Sequence, residues 1–442
     1  MLGIMQDRPL LISSIITHAE RFHSETAIVS RRVEGDLHRT DWGTVAKRAK
    51  RMAGALDTLA IAPGSRVATL AWNGYRHLET YFGVSGSQRV LHTLNPRLSP
   101  QQLTWIVNHA GDEVVCFDTT FLPLVEAVCD QCPTVKHWIA YAAEDQLPAT
   151  TKIKNLLSYE ALLEASSEVY EWPIFDEQSA SSMCYTSGTT GNPKGVVYTH
   201  RSTFLHTMAA MMTDGLGVSE RDSILPVVPM FHANSWGLAH AAVAAGANLV
   251  MPGPDLSGKA VADLIVNEKV TIAAGVPTIW MGVLPELKGR DTSSLRVIPC
   301  GGSAVPRALS EAYREQTGLP ILQAWGMTET SPLAAICHLD SDQLLLDVNA
   351  QADLRTQVGR IMFGVECRVV EPGTATSVPW DGESSGELQC RGNWIAATYY
   401  NDERAGESFT DDGWLRTGDV AAVDARGRIR LLDRTKDLIK SG

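Results

Sequence analysis

Residues 66–95, RVATLAWNGYRHLETYFGVSGSQRVLHTLN, contain the pattern that decides the fold. The apolar and β-branched residues of 66–73 predict a strand, the segment from His77 to Gly86 predicts a helix, and residues 90–95 predict a second strand. A helix between two strands is the crossover unit that joins parallel strands. The same alternation continues through EVVCFD and KHWIAY, so we predict an α/β fold.

A second alternating series begins near Ser223 and continues through ANLVM, VTIAAGVP, LRVIPCGG and PILQAWG. After about Gln357 the strands become short and polar turns separate them, which is typical of antiparallel pairing. The predicted fold class is therefore α/β, with two doubly wound, mostly parallel sheets covered by helices and a small antiparallel β-barrel. We place the α/β units at about 1–220 and 221–356 and the barrel at about 357–435, all within one large domain.

Composition excludes several classes of protein. The 442 residues are 44% hydrophobic and 20% charged, which is typical of globular proteins, and the net charge of −12 disfavours binding to nucleic acid. No run approaches the ~20 apolar residues of an integral membrane segment. Eight cysteines are too few for a disulfide scaffold, so we expect a cytoplasmic protein. Cys129 and Cys132 have CxxC spacing without a second pair, which does not predict zinc.

The stretch YTSGTTGNPKGV at 185–196 has the composition of a phosphate-binding loop. Its glycines, hydroxyl groups and Lys194 can surround phosphate oxygens with backbone N–H groups, side-chain hydroxyls and an ammonium group. The sequence is not a Walker A loop, and no GxGxxG fingerprint occurs, which weighs against kinase and Rossmann interpretations. A flexible loop without a ligand is the structural alternative.

This loop resembles the signature of the AMP-forming adenylating enzymes, which include acyl-CoA synthetases, peptide-synthetase adenylation domains and firefly luciferase. QAWGMTET at 323–330 resembles the second motif of that superfamily, GWLRTGD at 413–419 the third, and DRTKDLIK at 433–440 the hinge. The four motifs occur in the order of the superfamily and span essentially the whole chain. The chain is therefore identified as a member of the superfamily.

The resemblance implies a site for ATP and Mg²⁺. Glu329 corresponds to the residue that holds Mg²⁺, with Thr186 as a second metal ligand, and Trp325 to the aromatic residue that stacks on adenine. Each of these residues also has a structural alternative. Glu329 could cap a helix, Trp325 could be a buried core residue, and Asp419 could be an ordinary turn carboxylate. The implied nucleotide-binding residues are Thr186, Ser187, Gly188, Thr189, Thr190, Gly191, Lys194, Gly301, Gly302, Ser303, Trp325, Gly326, Met327, Thr328, and, for the ribose, Asp419 and Arg434.

The resemblance also implies movement after the large domain. Lys436 corresponds to the hinge residue, and Lys440 to a catalytic position of the second, thioester-forming conformation. We expect residues 436–442 to lead to a small lid domain that this sequence lacks, and the activity to depend on that domain. A charged surface segment is the alternative. We further expect Lys194 and Glu329 to lie on exposed loops, so that replacing either would leave the fold intact.

PMFHANSW at 229–236 resembles the segment that lines the acyl pocket. Peptide-synthetase domains place an aspartate there to bind an ammonium group, whereas this chain has His232, which favours an uncharged acyl chain because an unpaired buried ammonium is costly. His232 could orient the carboxylate as a catalytic residue, or be a core histidine. The predicted substrate-binding residues are His232, Trp236, Gly275, Val276 and Met327.

The chain looks most like the fatty acyl-CoA synthetase branch and, within it, the bacterial 3-methylmercaptopropionate-CoA ligases. The resemblance implies a ligase that forms an acyl-adenylate and then an acyl-CoA, from ATP, CoA and a short- to medium-chain acid such as 3-methylthiopropionate. A long-chain synthetase is the near alternative. A luciferase-like oxygenase and a nucleotide-binding regulator without activity are alternatives from other classes. A homodimer is implied by resemblance alone.

Overall fold

The computed structural model describes residues 1, 3–186 and 192–434, and the side chains of all of these except Arg434. Residues 187–191 of the predicted phosphate loop and the predicted positions Lys436 and Lys440 lie outside the described residues. The helices are α1 (Ile12–Phe22), α2 (Trp42–Thr58), α3 (Tyr75–Gly86), α4 (Pro100–Ala110), α5 (Leu122–Val128), α6 (Tyr159–Glu164), α7 (His200–Met211), α8 (Ala233–Trp236), α9 (Leu238–Ala245), α10 (Gly258–Asn267), α11 (Pro277–Val283), α12 (Arg307–Thr317) and α13 (Val348–Leu354).

The strands form three sheets. In chain order they are β1 (Ala27–Arg31), β2 (Leu37–Asp41), β3 (Arg66–Leu70), β4 (Val90–Thr93), β5 (Asp112–Phe117), β6 (His137–Ala140), β7 (Leu156–Ser158), β8 (Ala180–Thr186), β9 (Lys194–Thr199), β10 (Ser223–Pro226), β11 (Asn248–Met251), β12 (Ile272–Ala274), β13 (Pro299–Cys300), β14 (Leu322–Gly326), β15 (Leu333–Ile336), β16 (Gly359–Ile361), β17 (Val365–Val370), β18 (Ser385–Gly392), β19 (Leu415–Val423) and β20 (Arg428–Arg434).

The seven-stranded sheet contains the crossover unit that the sequence predicts. Its order is β7-β6-β5-β3-β4-β8-β9, and all neighbours are parallel except β8 and β9. β3 pairs with β4 in the register Arg66↔Val90. The helix between them, α3, is buried along its whole length, as expected for a helix that lies between layers. The parallel α/β prediction is confirmed here.

The five-stranded sheet has the order β12-β10-β11-β1-β2. β1 pairs in parallel with β11, in the register Ile28↔Leu249, and antiparallel with β2. Trp42, at the start of α2, is fully buried and donates its indole N–H to Ala247 O at 2.9 Å. This sheet thus combines strands from both sides of residue 220, and the proposed division of the chain into units stays a prediction.

The eight-stranded sheet, β13-β14-β15-β16-β20-β19-β18-β17, corrects the predicted barrel. Its later strands are antiparallel, as predicted, but among the described residues the sheet is open, with β13 and β17 at its two edges. The physical reason is β14, which pairs in parallel with β13 on one side and antiparallel with β15 on the other. The antiparallel strands therefore extend the edge of an α/β layer. No described helix is long and apolar enough to cross a membrane.

Candidate functional site

The hairpin of β8 and β9 holds the ends of the predicted phosphate loop. Thr186 and Lys194 are paired across the two strands, so the residues that flank the loop lie side by side at one end of the hairpin. The Lys194 ammonium donates to the hydroxyl of Ser408 at 3.2 Å and lies 4.5 Å from the centroid of the Tyr399 ring. A hydroxyl and an aromatic face therefore position this cation beside the loop.

Glu329 lies in the short 3₁₀ turn Thr328–Thr330, which follows β14. Its Oε1 accepts a hydrogen bond from the Tyr399 hydroxyl at 2.6 Å, and the Thr328 carbonyl accepts one from Tyr198 at 2.7 Å. Burial and the Glu329 charge raise the pKa of Tyr399 far above its usual value, so this hydroxyl keeps its proton and donates. Tyr399 therefore connects Glu329 to Lys194.

The expectation that Lys194 and Glu329 lie on exposed loops is wrong. Glu329 is only 5% exposed, and Lys194 is half-buried as the first residue of β9. A variant that removes the Glu329 side chain would also remove buried structure. Isosteric replacement is the better experiment at this position.

The second and third motifs meet through a buried hydrogen bond. Trp325, near the end of β14, donates its indole N–H to Asp419 Oδ2 at 2.9 Å. Asp419 lies on β19, where it is the cross-strand partner of Arg434 on β20. Both Trp325 and Asp419 are buried. The carboxylate thereby fixes the edge of the indole ring and holds two motifs, far apart in sequence, in one place.

Two glycines of the predicted nucleotide site are required by close backbone approach. A Cβ at Gly301, which follows β13, would lie 2.7 Å from Ala324 O, and a Cβ at Gly326 would overlap Pro332 O at 1.7 Å. Neither position has room for a side chain. Next to Gly301, Gly302 and Ser303 are exposed, Met327 is half-buried and Thr328 is buried.

The predicted acyl segment, residues 229–236, lies next to these glycines. The Trp236 ring is buried and lies 3.4 Å from where a Cβ at Gly301 would be, and Val276 is equally close to Gly302. Gly275 donates its N–H to Pro299 O at 3.1 Å, which aligns 275–276 with the end of β13. The structure therefore brings Trp236, Gly275 and Val276 next to the predicted adenine site.

His232 lies at the exposed edge of this segment. Neighbouring protein atoms shield part of its ring from water, and this partial desolvation, followed by the positive charge of Arg97, holds the pKa of His232 below its usual value. At neutral pH the ring is therefore uncharged and can donate one N–H.

The acyl segment contains a left-handed turn. In α8 the φ angles of Ala233, Asn234, Ser235 and Trp236 are 43°, 53°, 55° and 57°. Left-handed conformation costs about 1–2 kcal/mol per non-glycine residue, so surrounding structure must stabilise it. Asn234 donates to Ser182 Oγ at 3.1 Å, and Ser235 donates to Val228 O at 2.8 Å.

Asn73, which the sequence did not single out, holds the chain ahead of this turn. It is buried just after β3. Its amide group donates to Pro226 O at 2.8 Å and to Val228 O at 2.9 Å, and its carbonyl accepts from Met230 N at 2.6 Å. One side chain thus fixes three backbone groups within 226–230, where the acyl segment begins. Tyr399 and Ser408 were also missed, because only their distant contacts with Glu329 and Lys194 identify them.

Replacing Asn73 with Ala is expected to lower the free energy of unfolding by about 3 kcal/mol, because three buried backbone groups lose their partner. Chemical denaturation followed by circular dichroism measures the change. Asn108→Ala is the matched control, since Asn108 is exposed on α4 and donates to a single carbonyl. Equal stability losses in the two variants would contradict the assigned role of Asn73.

Among the described residues, no group of three or more His, Cys, Asp and Glu side chains could form a metal site. A divalent cation at Glu329 would therefore need oxygen ligands from its substrate and from water, an arrangement that Mg²⁺ commonly adopts. Cys129 is half-buried, Cys132 is buried, and both are free thiols.

Comparisons with known proteins agree on one family. The family model described as AMP-binding enzyme matches residues 16–400. The chain is 46% identical to a 3-methylmercaptopropionyl-CoA ligase of Ruegeria lacuscaerulensis and 43% identical to a medium-chain fatty acid–CoA ligase of Ectopseudomonas oleovorans. The matches cover 100% of this chain in both cases, and 82% and 81% of those proteins.

Solved structures share the fold. The anthranilate-CoA ligase AuaEII, in complex with anthranoyl-AMP, matches with a TM-score of 0.86 at 24% identity, over 98% of this chain and 80% of that one. The N-terminal domain of FACL13 from Mycobacterium tuberculosis matches with a TM-score of 0.81 at 26% identity, over 96% and 99% of the two chains.

Proposed function

The chain belongs to the AMP-binding enzyme family, and from this premise we propose that it is an AMP-forming ligase that joins a carboxylic acid to CoA. The observation that carries the proposal is the contact between motifs. Tyr399 connects Lys194 to Glu329, and the Trp325–Asp419 hydrogen bond lies at the end of the same strand, β14. A cation, an anion and an aromatic ring at the end of one strand suit a nucleoside triphosphate.

The reaction has two steps. A carboxylate oxygen attacks the α-phosphorus of ATP, the bond to the bridging oxygen breaks, and pyrophosphate leaves with acyl-adenylate remaining. The CoA sulfur then attacks the acyl carbon, its proton is released, and AMP leaves with the former carboxylate oxygen. Adenylation thereby converts a poor electrophile into one with a good leaving group.

The first step brings two anions together, so the site must offset negative charge. We assign this role to Lys194 and the 186–191 loop. Trp325 would stack on adenine beside 301–303 and 326–328, and Asp419 with Arg434 would accept and donate hydrogen bonds at the ribose. Because Asp419 already positions the indole N–H, the ring and ribose contacts would form as one unit.

Glu329 would hold Mg²⁺, with Thr186 as a second oxygen ligand. Its buried carboxylate is oriented by Tyr399 and has the hard oxygen chemistry that Mg²⁺ requires. When bound, Mg²⁺ supplies positive charge that offsets the charge of the phosphates.

Tyr399→Phe is expected to raise the KM for MgATP about tenfold, because one hydrogen bond to a charged group is lost. The phenyl ring under Lys194 is retained, so the KM for the acid should change little. Initial rates at varied MgATP and varied acid separate the two constants. Tyr400→Phe controls for loss of a neighbouring hydroxyl. An unchanged KM for MgATP in Tyr399→Phe would contradict a role at Glu329.

The acid would lie against Trp236, Gly275, Val276 and Met327, with neutral His232 directing an N–H toward its carboxylate. The apolar lining favours an acid without a charged chain. We propose short- to medium-chain acids, 3-methylthiopropionate among them, in agreement with what the similar proteins of Ruegeria and Ectopseudomonas are named for.

The test is acid-dependent release of pyrophosphate with MgATP and CoA, across propionate, 3-methylthiopropionate, butyrate, octanoate, palmitate and several amino acids. A maximum at short or medium acids, with matching AMP and acyl-CoA, is expected. A maximum at palmitate would favour the long-chain alternative. Oxygen uptake or light would identify an oxygenase, and ATP binding without pyrophosphate release would identify a regulator.

The hinge role of Lys436, the thioester-step role of Lys440, a homodimer and a cytoplasmic location rest on resemblance and composition. Loss of acyl-CoA formation on replacing Lys440 with Ala, with the single-turnover rate of pyrophosphate release retained, would support a role of Lys440 in the second step alone.

A further inference from the structure

A large cavity lies at the end of β14 that is opposite to the proposed nucleotide site. Its volume is about 860 Å³, and it is lined by the residues before and at the start of β14, by those that follow β15, and by the segment between α7 and β10. The nucleotide motif begins at the other end of β14, about 13 Å away along a strand of five residues. The two sites therefore lie at opposite ends of β14.

Much of the cavity wall is apolar. The apolar side chains include Leu216, Val218, Leu319, Ile321, Leu339 and Leu344. Leu344 is 55% exposed, so part of this wall faces water. A concave surface of 300–1,000 Å³ with apolar walls is typical of small-molecule sites. An apolar chain would remove these leucine side chains from water.

Three arginines, Arg221, Arg296 and Arg355, lie in the wall. Arg296 is bound to Asp222 by two hydrogen bonds, at 2.7 and 2.8 Å, so this pair is already neutralised. Within the part of the chain that the structure describes, Arg221 and Arg355 have no acidic side chain within ion-pair distance. Arg355 donates to the neutral amide of Gln351 at 3.0 Å, and the nearby Glu311 is bound to Arg314.

The surroundings of Arg355 disfavour an isolated cation. Arg355 is half-buried, and burial lowers its pKa from the usual value. A bound anion would stabilise the charged form of Arg355. A carboxylate matches the planar guanidinium group through two parallel hydrogen bonds.

We propose that this cavity is a second binding site, which takes a fatty carboxylate with its headgroup at Arg221 and Arg355 and its chain along the leucine-lined wall. The inference stands on the cavity and its charges, and it does not depend on the proposed function.

The experiment uses dodecanoate with a diazirine at the end of its chain. After irradiation of the whole chain, mass spectrometry maps the labelled residues. Labelling within 211–222 or 337–355 is expected. The double variant Arg221→Ala, Arg355→Ala should be labelled in these segments about tenfold less than the unaltered protein, because contacts to a charged group are removed. Arg430→Ala, which removes an exposed arginine of β20, should keep it.

The matching diazirine alcohol, which lacks the carboxylate, should label the cavity about tenfold less than the acid in the unaltered protein. This arm needs no variant, so it does not depend on variant folding. Labelling confined to other segments, equal labelling by acid and alcohol, or full labelling of the double variant would overturn the proposal. Labelling within 229–236 or 275–276 would report on the catalytic pocket, so the two sites are distinguished by the segments labelled, and the proposed function is tested separately by pyrophosphate release.

Discussion

Glu329→Gln is expected to lower kcat/KM for MgATP by about 10²–10³-fold, the usual effect of removing one preorganised electrostatic group from a reacting phosphate. The replacement keeps the shape of the side chain and lets it accept from Tyr399, so the hydrogen bond at Glu329 is preserved while the charge is lost. Acid-dependent pyrophosphate release at varied MgATP measures the effect.

Two observations separate a charge effect from unfolding. The thermal midpoint of Glu329→Gln should stay close to that of the parent, because the buried carboxylate is replaced by an amide of equal size. Glu315→Gln, on the exposed face of α12, is the matched control and should keep full activity. If Glu329→Gln retains its rate, the metal assignment fails.

Lys194→Met is expected to reduce kcat/KM for MgATP by about 10²-fold, because an ammonium that offsets phosphate charge becomes a neutral thioether of similar length. The thioether can still pack on the Tyr399 ring, so the fold should be retained. The same assay measures the loss, with Lys259→Met as a control, since Lys259 is exposed and forms an ion pair with Asp263 on its own helix.

Salt adds a second test of the Lys194 assignment. Because the contact is electrostatic, raising ionic strength should weaken MgATP use in the parent more steeply than in Lys194→Met. Parallel salt dependence in the two proteins would argue that Lys194 does not contact phosphate.

The hydrophobic pattern of residues 66–95 predicted the crossover unit correctly but placed the end of its first strand too late. The sequence predicts a strand over 66–73, whereas β3 ends at Leu70, where its partners β4 and β5 also stop pairing. Hydrophobicity continues past that point because the chain remains buried. Asn73 belongs to this buried but unpaired stretch, and its three hydrogen bonds reach residues about 150 positions later.

Long-range partners account for the other differences. Short antiparallel strands could be read from residues 357–435, but whether their sheet closes depends on what the edge strands meet, and β14 gives them an open α/β edge. The motifs predicted Lys194, Glu329, Trp325 and Asp419 as separate candidates. Tyr399 and the Trp325–Asp419 hydrogen bond became visible only when residues 70 and 94 positions apart were brought into contact.

The left-handed turn at 233–236 constrains how the acyl pocket can diversify. β-branched residues are strongly disfavoured at positive φ, so Val, Ile and Thr are poor replacements at these four positions whatever volume the pocket offers. Libraries that alter acid preference should therefore be richer in folded variants when they vary the other predicted pocket wall, at Val276, where φ is −96°. Evolution of new acid preferences would follow the same asymmetry, with one wall kept and the other free to change.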